Sequence, residues 1–194
     1  SAFHREMALR DYLSGLRNDR YFYRQLLTDL EGAERYGGDL SLIFMDLDHF
    51  KAVVDEHGHL VGSQVLAEVG HLLADTVDHP GCTLARYGGD EYVAVLPGAD
   101  AARAMQIAEE IRVAVLQGVF LTEPGAEGRP ALHLKGRFSA SIGVASYRDC
   151  EFEEHESNLA NRRQLLIRIA DEAMYSAKRK GKNQVCLGRD KALL

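Results

Sequence analysis

The sequence predicts an α/β protein of the α+β kind: one domain, with a mixed and largely antiparallel sheet flanked by helices. Three observations predict it. Leu42-Ile43-Phe44-Met45 is a continuous apolar run, the pattern of a strand covered on both faces. Thr83–Tyr87 and Tyr92–Leu96 read as the two arms of a hairpin around Gly88-Gly89, a pair that accepts positive φ at both central positions of a tight turn. Other segments carry apolar residues at a period near 3.6, as helices packed on a sheet require. The 194 residues are enough to bury one core. A hydrophobic content of 46% with 27% charged residues is that of an ordinary globular chain. The net charge of −6 argues against a general nucleic-acid or membrane-surface binder, which needs a basic face.

The elements follow in order. Residues 1–12 read as the end of a helix, with Phe3, Met7 and Leu9 only loosely at helical spacing. Asn18 is placed to cap a helix over 19–36, with Tyr21, Phe22, Leu26, Leu27 and Leu30 inward and Gly37-Gly38 as its stop. A strand over 40–46 comes next, then a short helix over 49–55, with Gly58 as punctuation. A longer helix over 61–77 carries the stripe Val65, Leu66, Val69, Leu72, Leu73 and Val77. Pro80-Gly81 breaks the chain before the hairpin, and Pro97-Gly98 ends it. A helix over 99–117 has Ala104, Ile107, Ala108, Ile111, Ala114 and Val115 inward. Residues 118–135 read as a long Gly- and Pro-containing loop with a short strand at each side. Phe138, Ala140, Ile142 and Val144 alternate with Ser139, Ser141 and Gly143, the pattern of a strand. After an acidic loop over 149–157, a helix spans 159–179 and ends at Gly181, before a last strand, Gln184–Leu187. No apolar run approaches a membrane span and no signal peptide is visible. Cys82, Cys150 and Cys186 form no metal spacing and no disulfide framework, which fits a reducing cytoplasm.

The acids mark the chemistry. Asp90-Glu91 stands at the hairpin turn, and Asp46 closes a buried strand, at a sheet edge where sites on α/β folds gather. If hairpin and strand are neighbours, Asp46 and Asp90 converge. Two carboxylates and a backbone carbonyl make a site for Mg²⁺ or Mn²⁺, completed by water and phosphate oxygens. His49, His57 and His59 lie close in sequence, but oxygen donors suit these hard cations better than imidazoles do. Lys178 and Lys182 lie four apart near a helix C-terminus, where they can interact with the helix dipole or face one way toward an anion.

Gly88-Gly89-Asp90-Glu91-Tyr92 resembles the signature of GGDEF domains, with Tyr where Phe is usual. Asp46-Leu47-Asp48-His49-Phe50-Lys51 is similar to that family's strand-end motif, and Asp11–Asn18 to its opening motif. Asp171–Lys178 with Gly181-Lys182-Asn183 is similar to its closing motif. The four occur in the family's order across residues 11–187. The resemblance implies a five-stranded central sheet of the kind seen in nucleotide cyclases and polymerase palms. It implies a cytoplasmic nucleotidyltransferase that joins two nucleoside triphosphates into a cyclic dinucleotide, with residues 1–15 a signalling helix or linker and 16–190 the cyclase domain. By match of position, Asp46, the Leu47 carbonyl, Asp90 and Glu91 would hold the metal. Glu91, Asp90 and Lys51 would carry catalysis, with Glu91 as general base or second metal ligand. Phe50, Lys51, Val54, His59, Ser63, Lys178 and Lys182 would line the nucleotide, and the backbone N–H groups of 48–51 would meet its phosphates. Each domain holds one triphosphate, so the resemblance implies a homodimer for catalysis and a sensor domain upstream, with no nucleic-acid or membrane partner for this segment.

Two departures from the family matter. Where cyclic di-GMP synthases read guanine with Asn and Asp, this chain has Val54 and Ser63. An ionised Asp only accepts hydrogen bonds and so matches guanine's N–H donors; serine donates or accepts and serves either purine. Losing one such paired contact is worth roughly 1–3 kcal/mol, enough to admit ATP. Ser63 resembles the hybrid promiscuous (Hypr) subgroup, which makes 3′,3′-cyclic GMP-AMP beside the two homodinucleotides. A GTP-specific cyclase making cyclic di-GMP, and a non-catalytic nucleotide-binding module, are the alternatives. His79-Pro80-Gly81-Cys82 stands where many members carry an Arg-x-x-Asp product-inhibition site, so no such site is expected there.

Overall fold

A computed structural model describes residues 1–153 and 158–189. The chain runs α1 (Ala2–Met7), α2 (Asp19–Tyr36), β1 (Leu40–Asp48), α3 (Phe50–His57), α4 (His59–Thr76), β2 (Thr83–Gly88), β3 (Glu91–Pro97), α5 (Ala101–Gln117), β4 (Val119–Phe120), β5 (Leu134–Lys135), β6 (Ser139–Ser146), α6 (Leu159–Arg179) and β7 (Gln184–Leu187). The caps expected for α2 are present: the Asn18 side chain accepts from the Tyr21 N–H, and Gly37 ends the helix in the left-handed region at φ 76°. The first helix is shorter than residues 1–12 allowed. It stops at Met7, and Phe3 and Met7 remain exposed. Part of the acidic loop, 154–157, lies outside the described residues, as does the expected domain end at 190. No helix among the described residues is long and apolar enough to cross a membrane.

Five strands form one sheet in the order β2-β3-β1-β6-β7, antiparallel except for the β6–β7 pair, while β4 and β5 form the two-stranded sheet flanking the long loop. β1 lies at the centre. Its alternation divides the core. Ile43, Met45 and Leu47 face α4 and α5, together with Tyr92, Ala94 and Leu96 of β3. Leu42 and Phe44 face α2 and α6, together with Val93 and Val95. The serine face of β6 is therefore not solvated. Ser139 and Ser141 are buried, because α6 covers that side. The approach is very close at Gly143, where a Cβ would stand 2.1 Å from the Ala170 carbonyl oxygen. A side chain there would lift α6 off the sheet.

The signature tyrosine belongs to the opposite face. Tyr92 is 1% exposed, and its hydroxyl donates to the Leu66 carbonyl of α4 at 2.5 Å. Tyr92→Phe should cost about 1 kcal/mol of stability in urea unfolding. An unchanged unfolding midpoint would mean this bond contributes nothing.

Candidate active site

The two-residue period of β1 puts Asp46 and Asp48 on the face of Leu42 and Phe44, the face under α6. Across the ladder, Asp46 is in register with Glu91 on one side and Ser141 on the other, and Asp48 with Ser139. The hairpin delivers the remaining acid, but its turn sits one residue later than Gly88-Gly89 predicts. A bulge between Arg86 and Gly88 pairs Gly88 with Glu91, so Gly89-Asp90 forms the loop. Of the two glycines only Gly89 has positive φ, at 49°. The extra residue is Tyr87, whose ring packs on Phe22, Tyr23 and Phe44 and whose hydroxyl lies 2.5 Å from that of Tyr23. The shift puts Asp90 in the turn itself. The Leu47 N–H donates to the Asp90 carbonyl at 3.2 Å, which ties the turn to the end of β1. From the other side, Arg86 donates to the Gly89 carbonyl through Nε at 2.9 Å and to Asp11 of the opening motif through Nη1 at 2.9 Å.

Asp46 and Asp90 lie near enough for the charge of one to act on the carboxyl of the other. Burial first, and then the Asp90 charge, push the Asp46 carboxyl up to about 7, against the opposing pull of Lys178. Glu91 is raised by burial, then by Asp171 of α6, then by Asp90. Asp46 Oδ1 is buried without a hydrogen-bond partner. An orphaned anionic oxygen facing a second carboxyl fits a hard cation, and the Leu47 carbonyl stands next in the chain. No group of three or more His, Cys, Asp and Glu side chains at metal-binding spacing occurs among the described residues, so protein would supply only part of the shell. Mg²⁺ is commonly held that way, with water and phosphate completing it.

Lys178 enters from the last turn of α6. Its Nζ lies 3.3 Å from Asp46 Oδ2, 3.0 Å from Asp48 Oδ1 and 3.2 Å from the Leu47 carbonyl oxygen. Burial would lower its pKa, but the bond to Asp48 and the charges of Asp46 and Asp48 outweigh that and raise it. Lys182 does not share a helical face with Lys178. The helix ends at Arg179, and Lys182 lies in the following turn, with left-handed φ of 65°. The spacing of four therefore has no helical meaning here. Lys51 is not drawn into the acidic group either: it is 87% exposed and pairs with Asp55 at 2.7 Å.

The remaining sequence candidates gather around α3 and α4. Phe50 and Val54 pack against α4 at Gly62, where a Cβ would stand 2.8 Å from Val54 Cγ2 and 3.3 Å from Phe50 Cζ. Ser63 is half-buried beside this seam and His59 is exposed at the start of α4. The N-terminus of α3 follows directly on the acids and has no side-chain cap, with His49 in the left-handed region at φ 63°. Its first N–H groups remain available to an anion. His79 Nε2 lies 2.7 Å from the Pro97 carbonyl oxygen.

Sequence reasoning passed over Asp48. It is 0% exposed and accepts from Ser139 and Ser141 at 2.7 Å each, from Lys178, and from the Asn183 N–H at 3.0 Å. A second acid two residues after Asp46, on a strand buried on both sides, was the available signal. Asp171, two helical turns before Lys178, lies in the closing motif, and its proximity to Glu91 depends on the seating of α6.

The family model described as "Diguanylate cyclase, GGDEF domain" matches residues 8–184. The response regulator PleD of Caulobacter vibrioides is 35% identical over 183 residues, covering 93% of this chain and 36% of PleD. Diguanylate cyclase A of Treponema denticola is 31% identical over 188 residues, covering 95% of this chain and 46% of its own length. This chain thus spans between a third and a half of these relatives. Among solved structures, the coiled coil and GGDEF domain of DgcB from Caulobacter crescentus, in complex with c-di-GMP, superposes with a TM-score of 0.79 at 29% identity, covering 96% of this chain and 89% of that one.

Proposed function

This chain belongs to the GGDEF diguanylate cyclase family, and from that premise we propose that it is a divalent-metal-dependent dinucleotide cyclase that accepts both GTP and ATP. The observation that carries the cyclase reading is the meeting of Asp46 and Asp90, with an unpartnered buried oxygen between the end of β1 and the hairpin turn. When bound, Mg²⁺ would supply neutralisation of phosphate charge and lower the proton affinity of the attacking hydroxyl. Asp46, the Leu47 carbonyl and Asp90 would hold it, with Glu91 beside them. Glu91, with its raised proton affinity, would take the 3′-hydroxyl proton as that oxygen attacks the α-phosphate and pyrophosphate leaves, or would serve as a second metal ligand. The uncapped N-terminus of α3 would bind the outer phosphates, and Lys51, Lys178 and Lys182 would oppose their charge. The purine would rest on the α3–α4 seam near Phe50, Val54, His59 and Ser63.

Two bonds must form to close the ring, and one domain holds one triphosphate. Two copies must therefore meet face to face, at least transiently. The segment 1–15 and whatever precedes it would govern that meeting.

Ser63 and Val54 support relaxed base choice, since neither can present the fixed acceptor that guanine's N1–H and N2–H₂ require. Relatives named as diguanylate cyclases favour a second reading, GTP alone as substrate. Incubation of the purified protein with Mg²⁺ and GTP, ATP or both, followed by separation of the products, decides between them. A mixed dinucleotide as the main species from the mixture supports relaxed choice, and cyclic di-GMP alone supports the second reading. Ser63→Asp should move the ratio toward cyclic di-GMP by about 10-fold or more. An unchanged ratio would remove Ser63 as the selector. No guanidinium is offered by His79–Cys82, so product should accumulate without inhibition through that segment; inhibition lost in His79→Ala would contradict this.

A further inference from the structure

The Lys178 ammonium donates to Asp48 and to the Leu47 carbonyl and forms an ion pair with Asp46. Two of the acceptors, Asp46 and the Leu47 carbonyl, are oxygens that a divalent cation would also require. The third, Asp48, is different. It is fully buried and fixed by Ser139, Ser141 and the Asn183 N–H, and it is not among the proposed metal ligands. A dication and an ammonium a few ångströms apart repel each other strongly in a half-buried site. The two therefore cannot share Asp46 and Leu47, while the flexible lysine stem allows the ammonium to move without a change in the backbone.

We propose that Lys178 is an exchangeable counter-ion of the acidic site: a divalent cation displaces its ammonium from Asp46 and the Leu47 carbonyl, and Asp48 retains it at the edge of the site with donors freed for the incoming triphosphate. The proposal rests on the reading of Asp46 and Leu47 as metal ligands. It makes metal loading and phosphate capture one linked event. Metal alone binds against a resident cation, whereas metal with nucleotide gives that cation a new partner.

The two halves of the linkage have opposite signs in one variant. Lys178→Met should bind Mn²⁺ alone on the order of tenfold more tightly than the unsubstituted protein, measured by electron paramagnetic resonance of free Mn²⁺. The same variant should bind Mn²⁺ with 3′-deoxy-GTP, which cannot react, on the order of tenfold more weakly. A lysine of purely structural importance would weaken both. Mn²⁺ affinity equal to or below that of the unsubstituted protein overturns the exchange. Asp46→Asn separates the two levels. If it loses Mn²⁺ while Lys178→Met behaves like the unsubstituted protein, only the exchange falls. If it binds Mn²⁺ normally, the metal-site reading falls as well. Should Lys178→Met not fold, the unsubstituted protein still answers: Mg²⁺ alone must shift the Lys178 ¹⁵Nζ resonance, and a resonance unmoved at saturation overturns the proposal.

Discussion

Asp46→Asn should make no measurable dinucleotide, a loss on the order of 10³-fold or more, and yet the metal-free domain should unfold at a higher temperature than the unsubstituted protein. Both effects come from one buried negative charge. For catalysis, the substitution exchanges an anionic metal ligand for a neutral amide, beside a carbonyl and Asp90 that cannot replace it. For stability, the Asp46 carboxyl is pushed up to about 7, by burial first and by Asp90 second. A carboxyl with a raised folded-state pKa binds its proton more tightly folded than unfolded. Its stability penalty is absent below the ordinary value near 3.8, develops as pH rises toward 7, and is constant above that. A shift of this size corresponds to a few kcal/mol at most, on the order of 1.4 kcal/mol per pH unit. Calorimetry of the metal-free protein between pH 4 and 8 should show stability falling through this window. In Asp46→Asn the fall should shrink without disappearing, because Glu91 and Asp171 are raised too. Activity within tenfold of the unsubstituted protein would remove Asp46 from the metal site. A variant less stable than its parent at pH 8 would mean that the contact with Lys178 outweighs the repulsion from Asp90.

Local pattern carried most of the fold. Asn18 and Gly37 bound α2 because caps are decided by the few residues around them. The apolar run of β1 marked a strand covered twice, and both faces are covered. The misplacements came from distant parts of the chain. The hairpin turn moved by one residue because Tyr87 is held in an aromatic cluster by Phe22, Tyr23 and Phe44, which no inspection of Gly88-Gly89 could show. Lys182 left the helical face of Lys178 because the helix stops at Arg179. At the site, Asp46 and Asp90 were legible as chemistry because acids are not needed to end a strand or make a turn. Asp48 was not, since its importance comes from Ser139 and Ser141, some ninety positions later, and from the seating of α6 over Gly143.

Asp48→Ala should therefore cost about 3–5 kcal/mol of stability. Removing this carboxylate does more than delete one ion pair. It strands two buried serine hydroxyls and the Asn183 N–H, and it leaves the half-buried Lys178 ammonium to Asp46 and one carbonyl. Each orphaned donor adds a desolvation penalty of about 1 kcal/mol or more. The loss should also have a pH signature opposite to that of Asp46. Burial alone would raise the Asp48 carboxyl, but the bonds from Ser141, Ser139 and Asn183 overcome it and hold it below the usual value. Its contribution is thus fully present above pH 4 and is lost as pH falls through the depressed folded-state value. The alanine variant should be weaker at neutral pH and should lose less on further acidification. Asp48→Asn keeps the shape and one acceptor but cannot neutralise Lys178, so it should fall between. Urea unfolding at pH 7, at pH 4 and at about pH 2, below the ordinary carboxylate range, measures all three proteins. A loss below about 1 kcal/mol in Asp48→Ala would mean that water replaces the carboxylate without difficulty, and that α6 is held over the acidic site by its apolar contacts with β6 alone.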